Sequence, residues 1–186
     1  MEPPKTLDDV RAAKGVFPAD EIEPGDAVLD LMCAGFWGAN AAIHAINRGA
    51  TLYAGIDIDA QKLDVMRAIY PDDRCIFEEV DAVEMLEIGI LIGKRSPVVI
   101  CDPWTQQIAD WMPRLLGLLR VTGRVLILGT CNSWLIDNDR EPTPESMTAW
   151  AKTLALEAGR IDSFPTCTRV IRRSDHLGGT FWTVWR

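Results

Sequence analysis

Four aspartates in this sequence each stand at, or just after, the end of a short apolar run. They are Asp30, Asp57, Asp81 and Asp102. Carboxylate oxygens accept hydrogen bonds from hydroxyl, amine and amide groups, and several of them together attract a positively charged ligand. One such aspartate is explained as the N-cap of a following helix. Four of them at equivalent points of successive units predict a shared ligand that carries several donors or a positive charge.

The elements that must position these aspartates alternate along the chain. Apolar runs predict strands over 27–32, 51–57, 75–80, 97–101 and 125–130. Amphipathic stretches predict helices over 38–48, 59–69, 82–92, 105–120 and 144–159. Thr143 is the candidate N-cap of the last helix. The segments 167–173 and 180–185 alternate in polarity and predict an antiparallel hairpin.

This order of elements predicts an α/β fold. We expect a three-layer, doubly wound, Rossmann-like sheet of seven strands that is mostly parallel and ends in an antiparallel hairpin. We expect one domain over 1–186, with an N-terminal helical segment over 1–23 and a core over 24–186. Because ligands of such sheets bind at the carboxyl ends of the strands, the four aspartates should line one crevice.

The composition is that of an ordinary globular protein: the chain has 186 residues, of which 48% are hydrophobic and 25% are charged. No apolar run approaches the roughly 20 residues of a membrane-spanning helix. The first residues also lack the apolar stretch of a secretory signal. We therefore expect a cytoplasmic protein that has no membrane partner. Five cysteines without a Cys-x-x-Cys pair, together with only two histidines, argue against a zinc site, so no metal is expected.

The formal net charge is −8. A protein that binds duplex DNA usually carries a broad basic face that offsets the phosphate charge, so duplex DNA is disfavoured as a partner, although it is not excluded. The basic residues near the end of the chain form only a small cluster of Arg169, Arg172 and Arg173. We interpret this cluster as a solvated strand edge.

Five segments resemble, in chain order, the motifs of the class I S-adenosylmethionine (SAM)-dependent methyltransferases. They are 24–31 (PGDAVLDL), 55–59 (GIDID), 80–82 (VDA), 98–104 (VVICDPW) and 118–127 (LLRVTGRVLI). The terminal hairpin is similar to the sixth and seventh strands of that family. The resemblance covers residues 24–185, and it implies an enzyme that transfers a methyl group with SAM as its cofactor.

The resemblance also implies which residues contact the cofactor. Asp57 would accept both ribose hydroxyls, as acidic residues do in other nucleotide-binding sheets, and Ile58 stands beside it. Asp81 would accept the adenine amino group, and the Ala82 amide would meet a ring nitrogen. Asp30 would orient the next loop or the ammonium. The loop positions that would approach the methionine part are Met32, Cys33, Ala34 and Gly35.

The segment Asp102-Pro103-Trp104 is the candidate for the chemistry. It resembles the acidic-Pro-Pro-aromatic motif of amino-group methyltransferases, with one proline fewer. That resemblance implies that Asp102 holds the target amine and that Trp104 stacks on the target base; Trp104 is also suited to a cation–π contact with the sulfonium. The alternative interpretation is the start of a loop followed by a core tryptophan.

The loop after the first strand departs from the family pattern. Alternate glycines normally let the backbone approach the cofactor, but Met32, Ala34 and Phe36 occupy those positions here. This departure favours one alternative, a catalytically inactive binding module that keeps the fold. An NAD-dependent oxidoreductase is disfavoured because Gly-x-Gly-x-x-Gly is missing. For an active enzyme, the unidentified methyl acceptor is expected to be a small molecule or an amino group, with an amine on nucleic acid as the alternative.

Overall fold

The computed structural model describes residues 17–33, 38–82, 84, 98–102, 115, 124–130, 142–157, 165–172 and 181–186. Several predictions fall outside these ranges. They are the helix predicted over 105–120, apart from the buried Leu115, most of the helix predicted over 82–92, and the site residues Ala34, Gly35 and Trp104.

Apolar runs of four to six residues form the strands of one seven-stranded sheet. These are β1 (Ala27–Leu31), β2 (Leu52–Asp57), β3 (Cys75–Glu79), β4 (Val98–Cys101), β5 (Val125–Thr130), β6 (Cys167–Arg172) and β7 (Phe181–Trp185). Their order across the sheet is β3-β2-β1-β4-β5-β7-β6. The pairs among β1 to β5 are parallel, whereas β7 runs antiparallel to both β5 and β6. The predicted Rossmann-like sheet with its antiparallel hairpin is therefore confirmed.

Three described helices connect or flank these strands: α1 (Gly38–Asn47), α2 (Ala60–Ile69) and α3 (Pro144–Glu157). The end of α1 leads into Gly49, whose φ of +88° is the left-handed conformation that glycine adopts readily. α2 buries Leu63, Met66 and Ile69, which recur at helical spacing. Thr143 caps α3 as predicted, because its Oγ1 accepts the Ser146 amide at 3.2 Å.

Successive residues of each strand point to opposite faces of the sheet, which gives two apolar clusters. We call the two sides the first face and the second face. The first face carries Val28, Tyr53, Phe77, Ile100 and Ile127. The second face carries Leu29, Ile56, Val99, Cys101 and Leu128. Apolar packing on both faces fixes the register of the central strands, and thereby the position of the residues at their carboxyl ends.

The segment that precedes β1 packs against the core. Phe17 and Ile22 are buried in the first-face cluster, and residues Ala19–Glu21 form one turn of 3-10 helix. The sequence predicted a helical segment over 1–23. The described part of that segment, residues 17–23, contains this turn and packs against the core.

Ion pairs attach this segment to the far edge of the sheet. The carboxylate of Glu21, only 6% exposed, accepts hydrogen bonds from Arg169 at 2.8 Å and from Arg186. Arg169 also binds Asp20 at 2.6 Å. Arg169 lies on the edge strand β6 with 42% of its side chain exposed, as interpreted from the sequence, and these ion pairs additionally anchor it. Arg172 is also exposed on β6, and Arg173 lies outside the described residues.

Among the residues that the structure describes, no helix has the length and apolar composition needed to cross a membrane.

Candidate functional site

The structure places the four predicted aspartates at one edge of the sheet. Asp30 is the fourth residue of β1, Asp57 ends β2, Asp81 lies two residues beyond β3, and Asp102 directly follows β4. These four strands are neighbours, in the order β3-β2-β1-β4, and all run in the same direction. The carboxyl ends of the strands therefore bring the aspartates together, as in other open α/β sheets.

Asp30 lies deeper than the other three aspartates. Its side chain is buried on the first face, and its carboxylate accepts a hydrogen bond from the hydroxyl of Tyr53. Burial raises the pKa of Asp30 well above its ordinary value; the hydrogen bond from Tyr53 opposes this shift, and the charges of Asp102 and Asp57 add to it. A carboxyl group enclosed in this way has little access to a ligand.

The chain turns sharply at the end of β1. Met32 has a φ of 62°, a left-handed conformation that costs a non-glycine residue free energy. Cys33 then folds back under the sheet, where its amide donates to the Ile56 carbonyl at 2.9 Å. A Cβ at Gly55 would lie 2.7 Å from Cys33 Sγ. The absence of a side chain at Gly55 therefore makes room for this turn.

Asp57 has a fixed orientation at the end of β2. Its Oδ1 accepts the Asp59 amide at 3.0 Å, and its carbonyl accepts the Val80 amide at 3.0 Å. Asp59 in turn caps α2, because its Oδ1 accepts the Lys62 amide at 3.1 Å. The half-buried Asp57 carboxylate is thus held by the Asp59 amide before any ligand binds, which lowers the entropic cost of binding.

Two exposed apolar residues lie near Asp57: Ile58 follows it in sequence, and the Val80 amide donates to its carbonyl. Ile58, which directly follows β2, is 70% exposed, and Val80, which directly follows β3, is 38% exposed. Large exposed aliphatic side chains beside a polar anchor offer a surface for a planar apolar group. The sequence singled out Ile58 but not Val80.

Asp81 and Ala82 follow Val80 and start the next helix. Asp81 is exposed, whereas Ala82 is buried in the second-face cluster. The Asp81 side chain can therefore reach a ligand above the edge of the sheet. The Ala82 side chain packs below it, so that Ala82 can contribute only a backbone group to the site.

Asp102 lies on the other side of β1 from Asp57. Its half-buried side chain extends over β5, since a Cβ built on Gly129 would lie 1.9 Å from Asp102 Oδ1. Trp104, the other predicted catalytic residue, lies outside the described residues. The structure therefore brings together Asp30, Asp57, Asp81 and Asp102 from the predicted site, with Asp57 and Asp81 on one side and Asp102 on the other.

Sequence reasoning missed two residues that shape the site, Tyr53 and Gly129. Tyr53 lies within an apolar strand, and the hydroxyl of a buried tyrosine needs a hydrogen-bond partner, so its presence there indicates a buried polar group nearby. A glycine inside a strand commonly marks the close approach of another group. Neither signal alone identifies which aspartate is the partner.

No family model and no curated protein matches this sequence. Solved structures do match the fold. The O-methyltransferase from Bacillus cereus, solved in complex with S-adenosylhomocysteine (SAH), superposes with a TM-score of 0.62 at 14% identity, over 100% of this chain and 92% of that one. The fibrillarin pre-rRNA processing protein of Methanococcus jannaschii superposes with a TM-score of 0.58 at 16% identity, over 97% and 74% of the two chains. The chain has the class I SAM-dependent methyltransferase fold.

A candidate SAM-dependent methyltransferase from Streptococcus mutans has the same methyltransferase fold, with a TM-score of 0.61 and 14% identity over 90% of this chain. This chain spans 46% of the length of that protein. The likeness confirms the resemblance drawn from the five sequence motifs at the level of the fold. The geometry of the strand ends, rather than the fold, must indicate the chemistry.

The described residues fit SAM in the methyltransferase fold. The Asp57 carboxylate at the end of β2 accepts the Asp59 amide, and Ile58 and Val80 near it in the chain fold are exposed. A second carboxylate, Asp81, follows the neighbouring strand β3. Ribose hydroxyls, an adenine ring and its amino group require such an acceptor, an apolar surface and a second acceptor, respectively.

Proposed function

We propose that this protein is a SAM-dependent methyltransferase that acts on a small-molecule or amino-group acceptor. The observation that carries this proposal is the fixed Asp57 carboxylate at the end of β2, with the exposed Ile58 beside it and a row of further aspartates along the same sheet edge. The likeness to solved methyltransferases supports the fold on which the proposal rests.

In this proposal the cofactor lies over β1, β2 and β3. Asp57 accepts the ribose hydroxyls, Ile58 and Val80 contact the adenine ring, and Asp81 accepts the adenine amino group next to the Ala82 amide. The loop of Met32, Cys33, Ala34 and Gly35 approaches the methionine part. Asp30 acts on that loop from below through Tyr53 and β1, which favours the loop-orienting role over direct contact with the ammonium.

The chain's own residues would mainly position the reactants. Bound SAM would supply an activated methyl group, which the lone pair of the acceptor's nitrogen or oxygen would take from the sulfonium sulfur. Asp102 accepts the N–H or O–H of the acceptor and takes its proton when the nucleophile must lose one. Trp104 is proposed to stack on the acceptor. The acidic edge also favours a cofactor that carries net positive charge over one that carries phosphates.

An amine on nucleic acid is the second candidate acceptor. The segment Asp102-Pro103-Trp104 favours it, since an acidic side chain and an aromatic ring suit a flat amine-bearing base. The net charge of −8 argues against extended contact with a phosphate backbone. A single nucleobase, outside a long nucleic acid, is compatible with both the Asp102-Pro103-Trp104 segment and the negative net charge.

Calorimetry with SAM, SAH and NAD tests the proposed function. We expect SAM and SAH to bind and NAD to be silent. Binding of NAD alone would instead support an oxidoreductase. No heat with any of the three ligands would support an inactive binding module, the alternative that the glycine-poor loop after β1 suggests.

A further inference from the structure

Gly129 lies directly beneath the carboxylate of Asp102. A Cβ at this position would stand 1.9 Å from Oδ1, 2.7 Å from Cγ and 3.2 Å from Cα of Asp102. Non-bonded contacts below 3.0 Å are essentially never seen for a Cβ, so a side chain at position 129 would force the carboxylate to move. Glycine weakens a strand interior, so its presence in β5 calls for such a close approach.

The direction of this contact divides the crevice. β4 lies between β1 and β5, and Asp102 directly follows β4. Its carboxylate extends towards β5, whereas the residues proposed to hold the cofactor stand on β1, β2 and β3. Asp102 is therefore placed at the border between the cofactor half and the β5 half of the sheet edge.

We propose that Gly129 is a positioning residue, whose missing side chain holds the Asp102 carboxylate over β5, where it receives the N–H or O–H of the methyl acceptor. This inference rests on the proposed function. The acceptor then enters over the carboxyl ends of β4 and β5. A larger residue at position 129 turns the carboxylate away from this place and weakens recognition of the donor group, while the cofactor residues on the other strands are unchanged.

The contact itself is tested by a double-mutant cycle on the full-length protein, with urea unfolding as the readout. Gly129→Ala is introduced into the wild type, into Asp102→Asn and into Asp102→Ala. Asparagine keeps the shape of the side chain, and alanine removes the two atoms nearest to the new Cβ. We expect Gly129→Ala to lower the urea midpoint equally in the first two backgrounds and much less in the third. An equal loss in all three backgrounds would overturn the inference.

The positioning role is tested with sinefungin, a SAM analogue that carries an amine where the cofactor carries its methylsulfonium. That amine stands in for the donor group that Asp102 faces. The ratio of SAH to sinefungin dissociation constants is measured by calorimetry for the wild type, Asp102→Asn and Gly129→Ala. We expect both variants to lower the ratio by about tenfold, as for loss of one charge-assisted hydrogen bond, with the SAH affinity within about twofold of the wild type.

Each other outcome is decisive. A ratio that falls in Asp102→Asn but not in Gly129→Ala overturns the positioning role, as does a ratio unchanged in both. A loss of SAH binding in Gly129→Ala shows general damage to the site and also overturns it. Absence of SAH binding to the wild type overturns the proposed function, and the inference falls with it.

Discussion

The hydroxyl of Tyr53 donates a hydrogen bond to the buried carboxylate of Asp30, across the pair of strands β1 and β2. Asp30 stands opposite Gly55, and Tyr53 stands opposite Val28, two residues earlier. The bond therefore runs diagonally between the two strands. It ties the end of β1, where the chain turns into the proposed cofactor loop, to the strand that carries Asp57.

The first prediction concerns the pH dependence of stability that Asp30 causes. The pKa of Asp30 is raised in the folded state above its unfolded value of about 4. The contribution of Asp30 to the free energy of unfolding is therefore fully present below pH about 4 and is lost as the pH rises through the pKa of the folded state. As the pH rises, we expect the Asp30→Asn variant to become more stable relative to the wild type, because asparagine does not ionise. Urea unfolding of both proteins at several pH values measures this difference. A difference between the two proteins that stays constant with pH would contradict the shift.

The second prediction concerns the turn that holds Asp57. Asp59→Ala removes the side-chain cap of α2 and should lower the free energy of unfolding by about 1 kcal/mol. It should also weaken SAM binding, because the Asp59 amide that fixes Asp57 Oδ1 becomes less well ordered. Asp59→Asn is the matched control, since asparagine caps helices as well as aspartate does, and it should retain both properties. Equal losses in the two variants would show that the cap is not responsible.

The strands illustrate how much of the fold the sequence predicts. The sequence placed the ends of β1 to β5 within one residue. In β1, β2, β4 and β5, burial on both faces requires continuous apolar segments, which are visible in the sequence. The helix over 144–159 and its Thr143 cap followed from equally local signals. These features depend on residues that are close together in the chain.

Contacts between distant residues could not be predicted in this way. Tyr53 meets Asp30 and Gly129 meets Asp102 only because neighbouring strands pair in one register, which a single sequence does not show. The pair of Arg169 and Glu21 joins residues 148 positions apart, which is why the sequence did not reveal the carboxylate that Arg169 binds. The sequence thus predicted which residues reach the site, but not which groups hold them there.

The third prediction concerns the attachment of the N-terminal segment. Glu21→Ala removes the hydrogen bonds from Arg169 and Arg186 to a buried carboxylate and should lower the free energy of unfolding by about 1–3 kcal/mol. Asp20→Ala breaks an exposed pair with the same arginine and should cost about 0–1 kcal/mol. Urea unfolding compares the two variants. A larger loss for Asp20→Ala than for Glu21→Ala would contradict the conclusion that Glu21 provides the main attachment.

The fourth prediction concerns the turn at Cys33. Gly55→Ala places a Cβ 2.7 Å from Cys33 Sγ and 3.1 Å from Phe77 Cδ1, so overpacking should destabilise the protein by about 1–3 kcal/mol. Adding Cys33→Ala removes the nearest atom and should restore part of the loss. Thermal unfolding of the single and double variants measures this. Additive losses would mean that Cys33 is not the obstacle.

The central claim is that Asp57 holds the ribose of SAM, and a calorimetric titration of SAH into two alanine variants tests it most directly. Asp57→Ala removes the proposed anchor. Glu78→Ala removes an exposed carboxylate from the neighbouring strand β3 and controls for the change in net charge. We predict that Asp57→Ala weakens SAH binding by at least about tenfold, as for loss of hydrogen bonds to a charged group, while Glu78→Ala binds like the wild type. Unchanged SAH affinity in Asp57→Ala would contradict the account.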